Sequence, residues 1–251
     1  MTRGVSQSMK ACELTHMQRS EIDVDLARAQ HAAYSQQLAQ LGCQLIELPA
    51  DDAQPDCVFI EDTAVVFDEL AVATYPGAPS RRDEVDPVAG ALANHRNVMF
   101  LSGDATLDGG DVLIMGKDVY VGVGKRSQAT AVFELHGLLE NYDYTVHPVK
   151  FGDCLHLRTA ATRLRDDLLL INPAWVDAGA FGDRKVIEVD PDEPFAGNVL
   201  TIGTDVIIPK SFPKTAERIR HAGLHTRAVD VSELQKAEGG VTCCSLIFKK
   251  V

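Results

Sequence analysis

Several side chains in this sequence could do chemistry together. Cys243 stands in GGVTCCSLIF, His156 in CLHLRTA, Asp108 in LDGGDVL, and the pair Glu61 and Asp62 in PDCVFIEDTAVV, with Asp56 at the start of that segment. A thiol is a nucleophile, an imidazole moves protons near neutral pH, and carboxylates set in apolar stretches want a cation or hydrogen-bond donors. Carboxylates beside a thiol raise its pKa, so the set suits a cationic substrate that supplies positive charge when it binds. A planar guanidinium is the natural match, because its fork meets carboxylates bidentately. Arg81 in GAPSRR and Arg126 in GKRS open helical stretches in successive segments, where a cation opposes the helix dipole. Anion binding is the sharper reading of both. A ligand with a guanidinium at one end and a carboxylate at the other would satisfy the whole set.

Each residue also has a plainer reading. Glu61 and Asp62 could sit in a solvated turn, His156 could be a satisfied structural imidazole, and either cysteine could be a small buried hydrophobe. Position argues against coincidence, since all of these residues fall at the start of a segment's first strand or in its following turn. Cys243 and Cys244 are read as opening the last strand, where neighbours alternate faces and at most one thiol reaches the site.

The elements that must position these groups repeat. Residues 57–101 read as strand CVFI, a turn at Glu61–Thr63, strand AVVF, strand LAVATY, a helix from Ser80 to His95, and strand NVMFL. The order returns with DVLIM, VYVGV, a helix to Glu140 and a strand near Tyr144–Val149. It returns again with LHLRTAA, LLLIN, a short helical piece and KVIEV, then with NVLTI, VIIPK, the helix Lys214–His221 and LHTRAV. The strand-to-helix junctions at Gly77, Gly124, Asn172 and Pro209 recur at intervals of 47, 48 and 37 residues. A fifth unit closes if the C-terminal strand CCSLIFKK pairs with MTRGVS, followed by the helix Asp25–Leu41, stopped by Gly42, and the strand CQLIEL. The chain then forms a ring, and the ends of its first strands converge on one site.

Composition sets the limits. The 251 residues are 45% hydrophobic, and 24 basic against 36 acidic residues give a formal charge of -12, a poor balance for binding a polyphosphate backbone. No run is long and apolar enough for a membrane span, and residues 1–22 lack the apolar core of a secretory signal, so a cytoplasmic protein with no nucleic-acid or membrane partner is expected. Six cysteines without CxxC spacing are expected reduced. The eight histidines show no HxH or HExxH spacing, so neither a metal nor any other cofactor is expected. With no linker-like tract, residues 1–251 are expected to form one catalytic domain.

In order and spread over residues 3–250, the motifs PDCVFIEDTAVV, PGAPSRR, LDGGDVL, VGKRS, LHLRT and VTCCSLIFKK resemble the dimethylarginine dimethylaminohydrolase family of the guanidine-modifying pentein superfamily. The resemblance implies an α/β fold, a five-bladed α/β propeller of ββαβ units with pseudo-fivefold symmetry. It implies hydrolysis of asymmetrically dimethylated or monomethylated arginine to citrulline and a methylamine, through a covalent thiouronium on cysteine. Cys243 would be the nucleophile, His156 the general acid and then base, and Asp108 its support. Asp62 with Glu61 would hold the guanidinium, Arg81 and Arg126 the substrate carboxylate, and Asp56 together with the Val5 carbonyl the α-amino end. The partner is thus a small guanidine amino acid, and a homodimer is left open. Two rivals stand beside this reading. One is another guanidine hydrolase or an amidinotransferase, such as an arginine or agmatine deiminase; the other is a non-catalytic binding protein of the same fold, like translation initiation factor 6.

Overall fold

The computed structural model describes residues 1–103 and 105–250. Four units share one plan, in which an antiparallel hairpin is followed by a crossover and a strand parallel to the hairpin's second strand. The first unit holds β3 (Ala64–Val66), β4 (Leu70–Ala73), α2 (Val85–Leu92) and β5 (Asn97–Phe100), after β1 (Thr2–Arg3), α1 (Val24–Gln40) and β2 (Glu47–Leu48) have opened the chain. The second holds β6 (Val112–Met115), β7 (Asp118–Val123), α3 (Ala129–Leu139) and β8 (Thr145–Lys150). The third begins with the one-turn helix α4 (Leu157–Ala160), then β9 (Ala161–Arg165), β10 (Leu168–Ile171) and β11 (Lys185–Glu188), with only the helical turn Ala178–Phe181 as its crossover. The fourth comprises β12 (Leu200–Ile202), β13 (Asp205–Pro209), α5 (Pro213–His221) and β14 (His225–Val229), and α6 (Ser232–Gln235) follows.

The middle strands are mainly apolar and buried on both faces, as Leu168–Ile171 illustrates, with an aspartate only where β7 and β13 leave their hairpin turns. Hairpins turn tightly where the sequence requires it: Gly116 and Gly203 take φ of 65° and 62°, a region that side chains with a Cβ avoid. Helix α1 is capped by the Asp23 carboxylate, which accepts from the backbone of Asp25 and Leu26, and the chain leaves it through Gly42 at φ 86°.

The first strands depart from the sequence reading in a consistent way. CVFI, CLHL and CCSLIFKK form no regular strand. A single helical turn instead precedes the first strand in each of the four units, at Ile60–Thr63, Gly109–Asp111, Leu157–Ala160 and Pro194–Gly197. Val241–Cys244 is likewise a turn. Apolar residues in these segments are buried by neighbouring units, and that burial mimics the pattern of a strand. The alternation expected of Cys243 and Cys244 therefore does not apply, and both are buried.

These turns touch in succession. Leu157 N–H donates to Asp111 Oδ1 (2.8 Å), the Asn198 amide reaches Arg158 O (3.2 Å), Thr242 N–H donates to Asn198 Oδ1 (3.0 Å), and Glu61 N–H donates to Cys243 O (3.1 Å). The ends of the chain also meet as expected, since Met1 and Leu246 exchange two backbone hydrogen bonds of 2.7 and 2.9 Å. The pairing there is shorter than CCSLIFKK against MTRGVS, and CQLIEL contributes only Glu47–Leu48, parallel to Thr2–Arg3.

Candidate active site

The candidate site residues sit on or beside these turns. Asp108 and His156 occupy the residue just before a turn, with extended backbone angles, and their side chains meet: His156 Nε2 lies 2.9 Å from Asp108 Oδ2. His156 Nδ1 lies 3.7 Å from Asp62 Oδ1. Such close approach requires the glycine between them, because a Cβ on Gly110 would stand 2.8 Å from His156 Nδ1 and 2.6 Å from Asp62 Oδ1. Gly110 N–H also donates to Asp62 Oδ1 (3.0 Å), and Gly77 N–H donates to Asp108 Oδ1 (2.7 Å).

Electrostatics fix the protonation states. Burial is the largest single influence on His156 and would lower its pKa, but Asp62, Asp111 and Asp108 together outweigh it and raise the imidazole to about 10. It is an imidazolium at neutral pH. Cys243 is driven well above the ordinary thiol value, first by burial and then by Glu61 and Asp62. The thiol is therefore protonated until a cation arrives. Its sulfur accepts the Gly240 N–H at 3.3 Å. Cys244, pushed well above the ordinary thiol value mainly by burial, instead points its thiol at Gly240 O (3.5 Å) and feels Glu61 alone among the site carboxylates.

The remaining residues read from sequence have partners that the sequence did not disclose. Glu61 is buried, pairs with Arg158, and accepts from Thr242 Oγ1 at 2.7 Å; burial raises its pKa. A cavity of about 460 Å³ borders Glu61 and Arg158, and neither His156, Asp62 nor Cys243 lines it. Arg81 is spent within the protein: it donates to Asp62 Oδ2 (2.5 Å), to Glu84 Oε2 (2.8 Å) and to Phe59 O (2.9 Å). Arg126 is less committed. Its Nη2 donates to Thr15 Oγ1 (3.1 Å), while Nη1, 3.6 Å from Asp108 Oδ2, is buried without a hydrogen-bond partner. Asp56 accepts the Glu13 N–H at 3.0 Å, and burial raises its pKa.

Val5, whose carbonyl was expected at the α-amino end, packs against α1. The side chain is buried in the core beside Ala27 and Tyr34 of α1, and its carbonyl accepts Arg28 Nε at 3.3 Å. The part of the N-terminal region that meets Asp56 and Arg126 is Glu13–Met17, a polar stretch whose role no local motif betrays.

Sequence reasoning also missed the layer beneath. Asp111 accepts from Ser127 Oγ (2.5 Å) and from Leu157 N (2.8 Å), and Ser127 Oγ accepts the Asp108 N–H (3.0 Å). One buried carboxylate thus anchors the backbone after His156 and, through Ser127, that of Asp108. Its burial pushes its pKa up to about 7. The available signal was register, since Asp111 ends the helical turn that Asp108 begins. Asp62, Asp108 and His156 present ligand-type atoms within 4.8 Å of one another, a spacing that could hold a metal. Arg81 and the Gly110 and Gly77 amides already donate to those carboxylates, which makes the set a poor cation cage.

A buried thiol, an imidazolium and a ring of carboxylates on an α/β scaffold define the class, a thiol-dependent hydrolase. The family model for arginine deiminase matches residues 90–194. Over 240 residues the chain is 38% identical to the N(G),N(G)-dimethylarginine dimethylaminohydrolase of Streptomyces coelicolor, covering 95% of this chain and 92% of that protein. The structure of the Pseudomonas aeruginosa enzyme, a cysteine-to-serine mutant complexed with citrulline, superposes with a TM-score of 0.94 at 30% identity, covering 98% of this chain and 97% of that one. A dimethylarginine dimethylaminohydrolase with a histidine-to-glycine replacement, as an adduct with S-methyl-L-thiocitrulline, superposes with the same TM-score, again at 30% identity and with 98% of each chain covered. The chain belongs to the dimethylarginine dimethylaminohydrolase family.

Proposed function

We propose that this protein hydrolyses Nω-methylated arginines, asymmetric dimethylarginine and monomethylarginine, to citrulline and methylamines. The observation that carries the proposal is the geometry of the site, His156 held between Asp108 (2.9 Å) and Asp62 (3.7 Å) and a buried Cys243 thiol that burial and then Glu61 and Asp62 keep well above its ordinary pKa. Such a thiol becomes a nucleophile when a guanidinium meets the carboxylates and offsets their field.

The steps follow from those groups. As the guanidinium binds, Cys243 releases its proton to solvent, and the thiolate sulfur bonds to the central carbon. His156 delivers a proton to the methylated nitrogen, the carbon–nitrogen bond breaks, and the amine leaves a thiouronium on Cys243. Neutral His156 then takes a proton from water, the water oxygen attacks the same carbon, and the sulfur departs to leave the ureido product. Asp108 keeps the ring oriented and favours its charged form. Asp62 and Glu61 hold the guanidinium, and Asp56 receives the α-amino group. Arg126, whose Nη1 makes no hydrogen bond, anchors the substrate carboxylate; Arg81, neutralised by Asp62 and Glu84, adds charge to that end while holding Asp62 in place.

The same reading includes a five-bladed α/β propeller, supported by the succession of touching turns and by the Met1–Leu246 closure, and residues 1–251 acting as one catalytic domain. It also includes residence in the cytoplasm and a site complete within one chain, whether or not that chain pairs as a homodimer. Six unpaired cysteines fit a reducing compartment. No helix among the described residues is long and apolar enough to cross a membrane.

A colorimetric assay for ureido product across arginine, its methylated forms and agmatine tests the proposal. Turnover of methylated arginines by the wild-type protein, with none in Cys243→Ser, is expected. Exclusive turnover of arginine or agmatine would replace the substrate. Arg126→Ala should raise KM about 10-fold or more, as loss of a charged hydrogen bond predicts; an unchanged KM would point to a substrate lacking a carboxylate.

A further inference from the structure

The segment Glu13–Met17 is held by one carboxylate. Thr15 N–H donates to both oxygens of Glu238 (3.1 and 3.0 Å), and the next two amides, His16 and Met17, donate to Oε1 at 2.6 and 2.5 Å. Three consecutive backbone donors converge on a single anion, the arrangement in which hydrogen bonds are strongest. Glu238 takes φ 60°, a left-handed backbone that a glutamate adopts at a cost. It directly precedes Gly239–Gly240, and Gly240 N–H contacts the Cys243 sulfur. At the other end of the grip, the same segment touches Asp56 through Glu13 and Arg126 through Thr15.

We propose that Glu238 is a positioning residue, a latch that holds Glu13–Met17 against the substrate's amino-acid end and ties its placement to the turn carrying the nucleophile. The inference rests on the proposed function for its substrate and deepens it. Binding requires the segment to be in place, so a population with the segment released lowers apparent affinity in proportion to the fraction lost. The chemical groups themselves are untouched, so KM carries the effect and kcat changes little.

Glu238→Gly separates a latch from a merely structural role. Glycine relieves the left-handed backbone, so the fold should hold its melting temperature while the acceptors disappear. Expected are at least 10-fold faster amide hydrogen exchange at Thr15, His16 and Met17, a KM for asymmetric dimethylarginine raised about 10-fold, and kcat within 3-fold. Glu238→Gln, which keeps one acceptor oxygen without the charge, should fall between the two and serves equally if the glycine variant misfolds. Unchanged exchange at the three amides in both variants would overturn the latch. So would a fall in kcat at constant KM. The exchange readout needs no substrate, so a wild-type protein inactive on methylarginines would defeat the proposed function while leaving the latch to be judged on exchange.

Discussion

Ahead of β6 stands the helical turn Gly109–Asp111, and ahead of β12 the turn Pro194–Gly197, each with a glycine pressed on the turn of the preceding unit. A Cβ on Gly109 would sit 2.0 Å from Glu61 O, and one on Gly197 2.5 Å from Thr159 O. Each turn is entered by an acidic residue, Asp108 or Glu193. Asp108 meets His156, whereas Glu193 turns to the start of α5 and accepts the Lys214 and Thr215 amides at 2.9 and 2.7 Å. What the fourth unit lends the site is the neutral side chain of Asn198, which bridges Arg158 O and Thr242. The four units share one plan, and the side chain at each entry decides whether that place faces the candidate site or only ties one unit to the next.

The sharpest break of the comparison is at the reacting groups. Cys243→Ser should lower citrulline formation by about 1000-fold or more while the thermal melt stays near wild type, and His156→Ala should lose as much activity but also lower the melt, because it leaves the buried Asp62 and Asp108 without their cation. Wild-type rates in either variant would mean that the entry positions are structural in all units alike.

Next in size is the pair of glycines. Gly109→Ala must displace a backbone carbonyl and should destabilise by about 3 kcal/mol or more, as overpacking a rigid contact does. Gly197→Ala meets a milder overlap and should cost less. Their activities should differ as well. Gly109 adjoins Asp108 and Gly110, so its variant should lose activity per folded molecule, whereas the Gly197 variant should keep most of it. Equal losses in both, measured by melts and by turnover of the folded fraction, would remove the distinction between the two turns.

Asp111 tests the chemical turn by pH. Its folded pKa of about 7 lies above the unfolded 3.8, so the fold favours its protonated form. That contribution is present below 3.8 and is lost as pH rises through 7. His156, raised from 6.5 to about 10, contributes below 6.5 and loses its contribution as pH rises through 10. Asp111→Asn should therefore flatten the fall in melting temperature between about pH 4 and 7. It should also move the alkaline limb of kcat/KM to lower pH, since His156 loses one of the three carboxylates that keep it charged. A limb that stays in place would separate Asp111 from the imidazole.

How far the sequence discloses this division depends on the element. Middle strands such as LAVA and LLLI and the amphipathic α5 were legible because their patterns are local. The recurrence of the unit plan and the meeting of the chain ends at Met1 and Leu246 were legible from repetition. The entry turns were not, because CVFI and CLHL owe their apolar character to burial by neighbouring units, and a short apolar run looks the same in a strand. Cys243, His156, Asp108 and Asp62 stood out by residue type. Arg158, Thr242 and Glu238 did not, since an arginine in a strand-like run, a threonine before a cysteine and a lone glutamate acquire meaning only from partners 97, 181 and more than 220 residues away.

The smallest effect belongs to the second thiol. Cys244 is as buried as its neighbour, yet its sulfur is turned to the Gly240 carbonyl and senses Glu61 without Asp62. Serine at 244 keeps a donor for that carbonyl and removes little volume, so Cys244→Ser should cost about 1 kcal/mol and leave kcat within a factor of three. Alkylation should then still track Cys243 alone, with one fast thiol in the presence of a guanidinium ligand. If Cys244→Ser proved as damaging as Cys243→Ser, the turn Val241–Cys244 would be presenting its two sulfurs in the opposite order, and the nucleophile would have to be reassigned.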